Sequence, residues 1–243
     1  MMLQVSMHGR IVAAVVTEVA YAVLTRAWLP QHLRGVELEL AISAFRLATA
    51  GVYWLLFRDV IFSRTKRAYL LRSPLVLTSA AVVLAIPLIF RGWNPGGGLG
   101  TAVVFALTSI IVGFREELLY RAILINLLQP RVGVLGAVVL STVVFLVYHY
   151  GALPIAALPA IEVICMSLLL GIVYVYSGSL AFVVVLHSLY DGIWFFGPYI
   201  AAPPPDVWRL PFLLTGLALV VVWARYTPSN RSSSGRAEAR RSI

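Results

Sequence analysis

The sequence predicts an all-α polytopic membrane protein, a bundle of about eight transmembrane helices, and three observations carry that expectation. Of its 243 residues, 60% are hydrophobic and only 12% charged, with a mean hydropathy of +0.91, whereas a soluble domain carries about 25% charged residues. Apolar stretches long enough to cross a hydrocarbon core of about 30 Å recur along the chain. Its basic residues gather in alternate connecting segments, as in the cytoplasmic loops of membrane proteins.

Taken in order, the apolar stretches run 11–29, 38–62, 74–90, 101–127, 133–150, 157–176, 179–197 and 208–225. The first follows Arg10 and contains Ala20-Tyr21-Ala22, which mimics a signal-peptide cleavage site. Glu18 inside that run marks it as a retained helix instead. The third stretch is short for a span and the fourth is long. With the N-terminus inside, the inner segments hold twelve arginines and lysines and the outer segments four, and SRTKRAYLLR at 63–72 contributes most. Both termini are therefore expected to be cytoplasmic. NPGGGLG at 94–100 and GPYIAAPPPD at 197–206 read as outer turns, with Trp194, Phe195 and Phe196 as interface anchors. The bundle takes residues 1–226. The remaining 227–243 has no apolar face to bury and reads as a basic, disordered cytoplasmic tail.

The net charge of +9 and pI near 10.1 are explained by these basic loops facing a lipid bilayer, with no call for nucleic acid. The single cysteine, Cys165, excludes an intrachain disulfide. Lys66 is the only lysine, and so strong a preference for arginine points to a GC-rich bacterial genome and a bacterial cytoplasmic membrane.

Ionisable residues inside such spans cost about 2.5–3.5 kcal/mol each on insertion scales, so their placement carries information. In FREELLYR at 114–121, Glu117 and Arg121 are spaced i,i+4 and share a helix face. Glu116 points about 100° away from Glu117, with Tyr120 as its own i+4 neighbour. One carboxylate is thus paired and the other is free to face a cavity as a general acid or base. The alternative for this stretch is an interfacial cluster in which Arg115 and Arg121 snorkel. In the next span Phe145 and His149 share a face. In 187–191, HSLYD, His187 and Asp191 lie one turn apart within an apolar run and are expected to hydrogen-bond each other. Glu18, Arg46 and Glu162 read as inter-helix pairs or cavity-lining groups.

A carboxylate with two histidines suits two chemistries: glutamate-activated water, or a His₂Glu zinc site. A non-catalytic scaffold, immunity protein or transporter that keeps the cluster for packing is a third reading. The sequence contains no HExxH, GxSG or GxGD, which argues against a zincin and against serine and aspartyl intramembrane proteases.

EExxxR (Glu116, Glu117, Arg121), FxxxH (Phe145, His149) and HxxxD (His187, Asp191), in this order on the fourth, fifth and seventh spans, resemble the CPBP family of CAAX-protease and bacteriocin-processing intramembrane proteins. The resemblance covers about 100–195. It implies a glutamic intramembrane endopeptidase without metal or other cofactor, acting on a membrane-anchored protein or peptide. Glu116 would then be the general base, His149 would position the water, His187 and Asp191 would take the oxyanion-stabilising places, and Glu117 and Arg121 would support them, with Tyr120 and Phe145 alongside. The eukaryotic prenyl proteases carry asparagine where this chain has Asp191. An ionised carboxylate cannot donate to an oxyanion, so Asp191 must either carry a proton or orient His187, and the i,i+4 spacing favours the second. Bacterial relatives are linked to peptide maturation, bacteriocin self-immunity and processing of C-terminal sorting tails. At 1.5 Å per residue, Glu116 lies about 22 Å from the outer end of its span and His187 about 12 Å from the inner end of its own. Both belong to the inner half, whereas a helix starting at 133 puts His149 near its outer end.

Overall fold

The computed structural model describes residues 6–62, 73–89, 99–149, 157–195 and 206–226. The basic run at 63–72, most of the 94–100 and 197–206 turns, Phe196 and the tail lie outside them, as do the side chains of Trp194 and Phe195. Every element among the described residues is helical: α1 (Met7–Ala22), α2 (Leu29–His32), α3 (Gly35–Phe62), α4 (Pro74–Ile89), α5 (Leu99–Glu117), α6 (Asn126–His149), α7 (Ala157–Ser177), α8 (Leu180–Phe195) and α9 (Asp206–Tyr226). Two π-helical segments, Val23–Trp28 and Leu118–Ile125, join α1 to α2 and α5 to α6 without breaking the rods.

Local chemistry sets several ends. Ser6 Oγ accepts from Gly9 N at 3.2 Å and caps α1. Pro74 opens α4, where its missing N–H costs nothing. Gly178, at φ 64°, ends α7 by donating to Tyr174 O at 2.9 Å.

Four of the rods are long and apolar enough to cross a membrane: Met7–His32, Gly35–Phe62, Val103–His149 and Ala160–Ser177. Pro74–Ile89, Leu180–Ile193 and Leu210–Val222 are apolar but shorter. The polarity of the bundle is inverted relative to a soluble protein. Leu55, Leu135 and Val147 are at least two-thirds exposed, while Arg115, Glu117 and Arg121 are 1% exposed or less. Only a hydrocarbon solvent reconciles those two facts, and the chain is an integral membrane protein.

The 47-residue run Val103–His149 is not one straight rod. Gly133, at φ 75° and ψ 178°, breaks it, a conformation that only glycine adopts without strain. The arms on either side fold back as an antiparallel hairpin, seen in nested contacts. Ser141 Oγ donates to Tyr120 O at 2.7 Å, Tyr120 packs edge-on against Phe145 at 4.9 Å, and Glu116 meets His149 at 4.0 Å. Glu116 stands seventeen residues before Gly133 and His149 sixteen after it. The two are therefore level, each about 25 Å along its arm. The apparent conflict in depth came from ending the fourth span at 127, because the helix continues through Pro130 to the Gly133 break.

Against this hairpin α8 packs closely through small residues. A Cβ on Gly113 would lie 2.7 Å from Ser188 Oγ and 3.2 Å from both Ser188 N and Val184 O. Ser109 Oγ donates to Ser188 O at 2.9 Å one turn away. Such small-residue seams let membrane helices approach where no hydrophobic driving force separates helix from lipid. This seam carries His187 to Glu116 and Glu117. Gly113→Ala is expected to cost about 1–3 kcal/mol, because backbone at Ser188 and Val184 must yield as well as the Ser188 hydroxyl. Gly51, with nothing within 4 Å of its Cβ position, is the control, and Gly51→Ala should melt no lower than wild type in the same detergent.

Candidate active site

Four helices build the site. Glu116 and Glu117 end α5, Tyr120 and Arg121 lie on the π-helical turn that follows, Phe145 and His149 on the last turns of α6, and His187 and Asp191 on α8. All eight residues singled out in the sequence come together, and α7 adds a ninth, Ser167.

Arg121 is fully buried and forms an ion pair with the equally buried Glu117, Nε to Oε2 at 3.0 Å without an aligned hydrogen bond. Its Nη1 donates to Ser167 Oγ at 3.2 Å and reaches Ser141 Oγ at 3.5 Å, and the guanidinium lies 5.2 Å from the Phe145 ring centroid. The other oxygen of Glu117 meets His187 Nδ1 at 2.8 Å. Because Glu117 is ionised against Arg121, that nitrogen donates. The chain Arg121–Glu117–His187 thus runs from α7 and α6 through α5 into α8.

His187 Nε2 faces the other way, 3.4 Å from Asp191 Oδ2 and 3.8 Å from Glu116 Oε2. The orienting hydrogen bond expected from Asp191 is made on Nδ1 by Glu117. Asp191, one turn along α8, reaches only the opposite edge of the ring, at ion-pair distance. Across the cleft, His149 Nδ1 lies 2.8 Å from Phe145 O. A carbonyl can only accept, so Nδ1 donates, and the neutral ring presents Nε2 as an acceptor toward Glu116 Oε2 at 4.0 Å. Phe145 stacks at 4.2 Å on His149 and lies 6.4 Å from His187, so one ring backs both imidazoles.

Glu116 is buried yet makes no direct hydrogen bond shorter than these 3.8 and 4.0 Å approaches. His149 and Asp191 are each 21% exposed at the side chain, which marks the open lip of the site. Among the described residues, no group of three or more His, Cys, Asp and Glu is arranged to hold a metal ion.

Other buried charges are also paired. Arg115 does not snorkel: it is 1% exposed and donates to Glu18 of α1 and, at 3.0 Å, to Thr49 Oγ1 of α3. Arg46 pairs with Glu39 at 2.5 Å, and Tyr190 donates to Glu162. Sequence reasoning read Glu18, Arg46 and Glu162 as inter-helix pairs or cavity-lining groups: Glu18 and Glu162 do bond side chains of other helices, whereas Arg46 pairs within α3, with a Glu39 that the sequence reading did not single out. It missed Thr49, Ser141, Ser167 and Tyr53, since a hydroxyl in an apolar span carries no signal until its neighbour is known. The partner of Arg115 was legible in principle, because a lone carboxylate in the first span needs a buried cation.

Arg121→Met leaves Glu117 charged and uncompensated and is expected to destabilise the protein by about 3–5 kcal/mol. Adding Glu117→Gln should recover most of that loss, as read by thermal denaturation in detergent.

Residues 98–193 match the model of the Rce1-like family, described as type II CAAX prenyl endopeptidase Rce1-like. The match spans α5 through most of α8 and contains all seven residues of the motifs and Tyr120. No curated protein and no solved structure matches the chain.

Proposed function

We propose, from the match of residues 98–193 to the Rce1-like family, that the chain is an intramembrane endopeptidase of the glutamic type, hydrolysing a peptide bond in a membrane-anchored or lipid-proximal substrate. The observation that carries the reading is the Glu116 carboxylate, buried between two imidazoles at 3.8 and 4.0 Å with neither close enough to bond it directly. A gap of that width is bridged by a water molecule with ordinary hydrogen bonds of about 2.8 Å to Glu116 Oε2 and His149 Nε2.

In this mechanism Glu116 accepts one proton from the water as its oxygen adds to the scissile carbonyl, and His149 aligns the water through Nε2. His187, as the imidazolium, donates from Nδ1 to Glu117 and from Nε2 to the tetrahedral oxyanion. Collapse of the intermediate breaks the C–N bond, and the proton held by Glu116 passes to the leaving amine. Asp191 lies beside Nε2 and accompanies that donor rather than the oxyanion itself. Glu117 and Arg121 keep the ring in place.

A zinc ion on Glu116, His149 and His187 is the second reading, because the three are a metalloprotease's donor set. Bonds of about 2.1 Å imply donor–donor separations of about 3.4 Å, shorter than the 3.8 and 4.0 Å found, so no step is routed through a metal. The basic loops support cytoplasmic termini, and the arginine-rich composition supports a bacterial cytoplasmic membrane.

The test uses full-length protein in liposomes and two internally quenched peptides, one ending in a prenylated CAAX tail and one carrying an apolar transmembrane anchor. Glu116→Gln, checked for an unchanged melt, is expected to lower kcat by about 10²–10⁴-fold, with wild-type cleavage surviving chelation. Loss of wild-type cleavage on chelation, restored by zinc, would establish the metal reading instead. Unchanged cleavage by Glu116→Gln would make Glu116 structural, and a wild type inert toward both peptides would favour a scaffold.

A further inference from the structure

The family match begins at residue 98, yet the side chain immediately before Glu116 is held by helices outside it. Arg115 bonds Glu18 of α1, donates from Nε to Thr49 Oγ1 of α3 at 3.0 Å, and reaches Tyr148 Oη of α6 at 3.4 Å through Nη1. Its guanidinium lies 3.9 Å from the centroid of the Tyr21 ring of α1. Glu18 accepts from Tyr53 as well, so α1, α3 and α5 meet at one carboxylate. On the far side of Tyr148, Arg26 donates to its carbonyl at 2.6 Å and lies 4.5 Å from its ring centroid. That carbonyl belongs to the last turn of α6, where the helix itself supplies no donor. The residue after it is His149.

Consecutive helical residues point about 100° apart. With Arg115 held toward α1 and α3, Glu116 is turned into the cleft. The rest of the helix does not guarantee that orientation, since the π-helical segment Leu118–Ile125 begins directly after Glu117 and widens the turn on which α5 would otherwise rest. We propose that Arg115, clamped by Glu18, is a positioning residue that fixes the rotation of α5 and the end of α6 so that Glu116 meets His149, and that α1, outside the family segment, is thereby part of the site. The proposal rests on the glutamate reading above. A lysine in this place could not serve three partners in one plane, because only the guanidinium presents a fixed fork of donors.

The experiment compares Glu18→Gln, Glu18→Asp and the double variant Glu18→Gln/Arg115→Met with wild type in the full-length protein, using the quenched peptides and a melt. Positioning predicts that Glu18→Gln lowers kcat by about 10- to 100-fold, with KM within about twofold. Glu18→Asp, which keeps the charge and shortens the reach, loses kcat without melting lower. The double variant, which leaves no unpaired charge, regains the melting temperature but not kcat. Recovery of kcat together with stability in the double variant would overturn the proposal, as would wild-type kcat in either single variant. A second readout needs no turnover: Glu116→Cys and His149→Cys in a Cys165→Ser background are bridged by a short bis-methanethiosulfonate. Adding Glu18→Gln should slow bridging several-fold, and an unchanged rate would overturn the proposal. Glu116→Gln is run alongside to keep the two readings apart. If it is inert while Glu18→Gln is as active as wild type, positioning alone fails. If it cleaves normally, the glutamate reading fails and the bridging rate still decides where residue 116 sits.

Discussion

A guanidinium with no water around it must be matched by a carboxylate, and the polar interior of this bundle is organised by two such matches, Arg121 with Glu117 and Arg115 with Glu18. Both arginines are 1% exposed or less, and each is supported by hydroxyls from neighbouring helices: Ser141 and Ser167 for one, Thr49 and Tyr148 for the other. The stretch Arg115-Glu116-Glu117, with Arg121 one turn on, places a cation on either side of two carboxylates. Arg115 is drawn toward α1 and α3 and Arg121 toward α6 and α7, so neither is left to neutralise Glu116. A carboxylate without an arginine of its own, buried between two imidazoles, is the arrangement that the proposed glutamate-activated water requires.

Backbone geometry brings the partners within reach. Gly133 folds Val103–His149 into a hairpin with arms of matched length, and this sets His149 opposite Glu116. Gly113 and Ser109 on one side, and Ser188 on the other, let α8 approach closely enough for His187 to bridge Glu116 and Glu117. The two devices work in different directions, one along the helix axes and one between them. Together they fix the third coordinate of a site whose residues are separated by up to 75 positions in the chain.

Within the site the imidazoles are not equivalent. His149 is oriented by its own helix, through the carbonyl of Phe145, and sits at the open lip. His187 is oriented by a carboxylate from another helix and is buried. One therefore turns Nε2 to Glu116 from the open lip, and the other turns Nε2 to both Glu116 and Asp191 from within. That asymmetry suits a reaction in which water must be aligned on one side of a carbonyl and charge must be stabilised on the other.

The sequence by itself determined that the chain is an all-helical membrane protein, because composition and stretch length alone decide whether a backbone can satisfy its hydrogen bonds in lipid. It also determined which side chains belong together within one helix, Glu117 with Arg121 and Phe145 with His149, because i,i+4 spacing is a local property. Local spacing could not tell which of two carboxylates would hold His187: Asp191 lay one turn away in sequence, whereas Glu117 lay seventy residues away and proved the closer partner. It could not set the level of His149 either, since that depends on where the helix before Gly133 ends, and Gln129-Pro130-Arg131 reads as a helix end although the helix runs through it. Which hydroxyls join Glu18 around Arg115, those of Thr49 and Tyr148, was likewise decided only by tertiary structure. Three helices converge on that guanidinium, and their contacts follow from packing between elements, on which hydrophobic periodicity is silent.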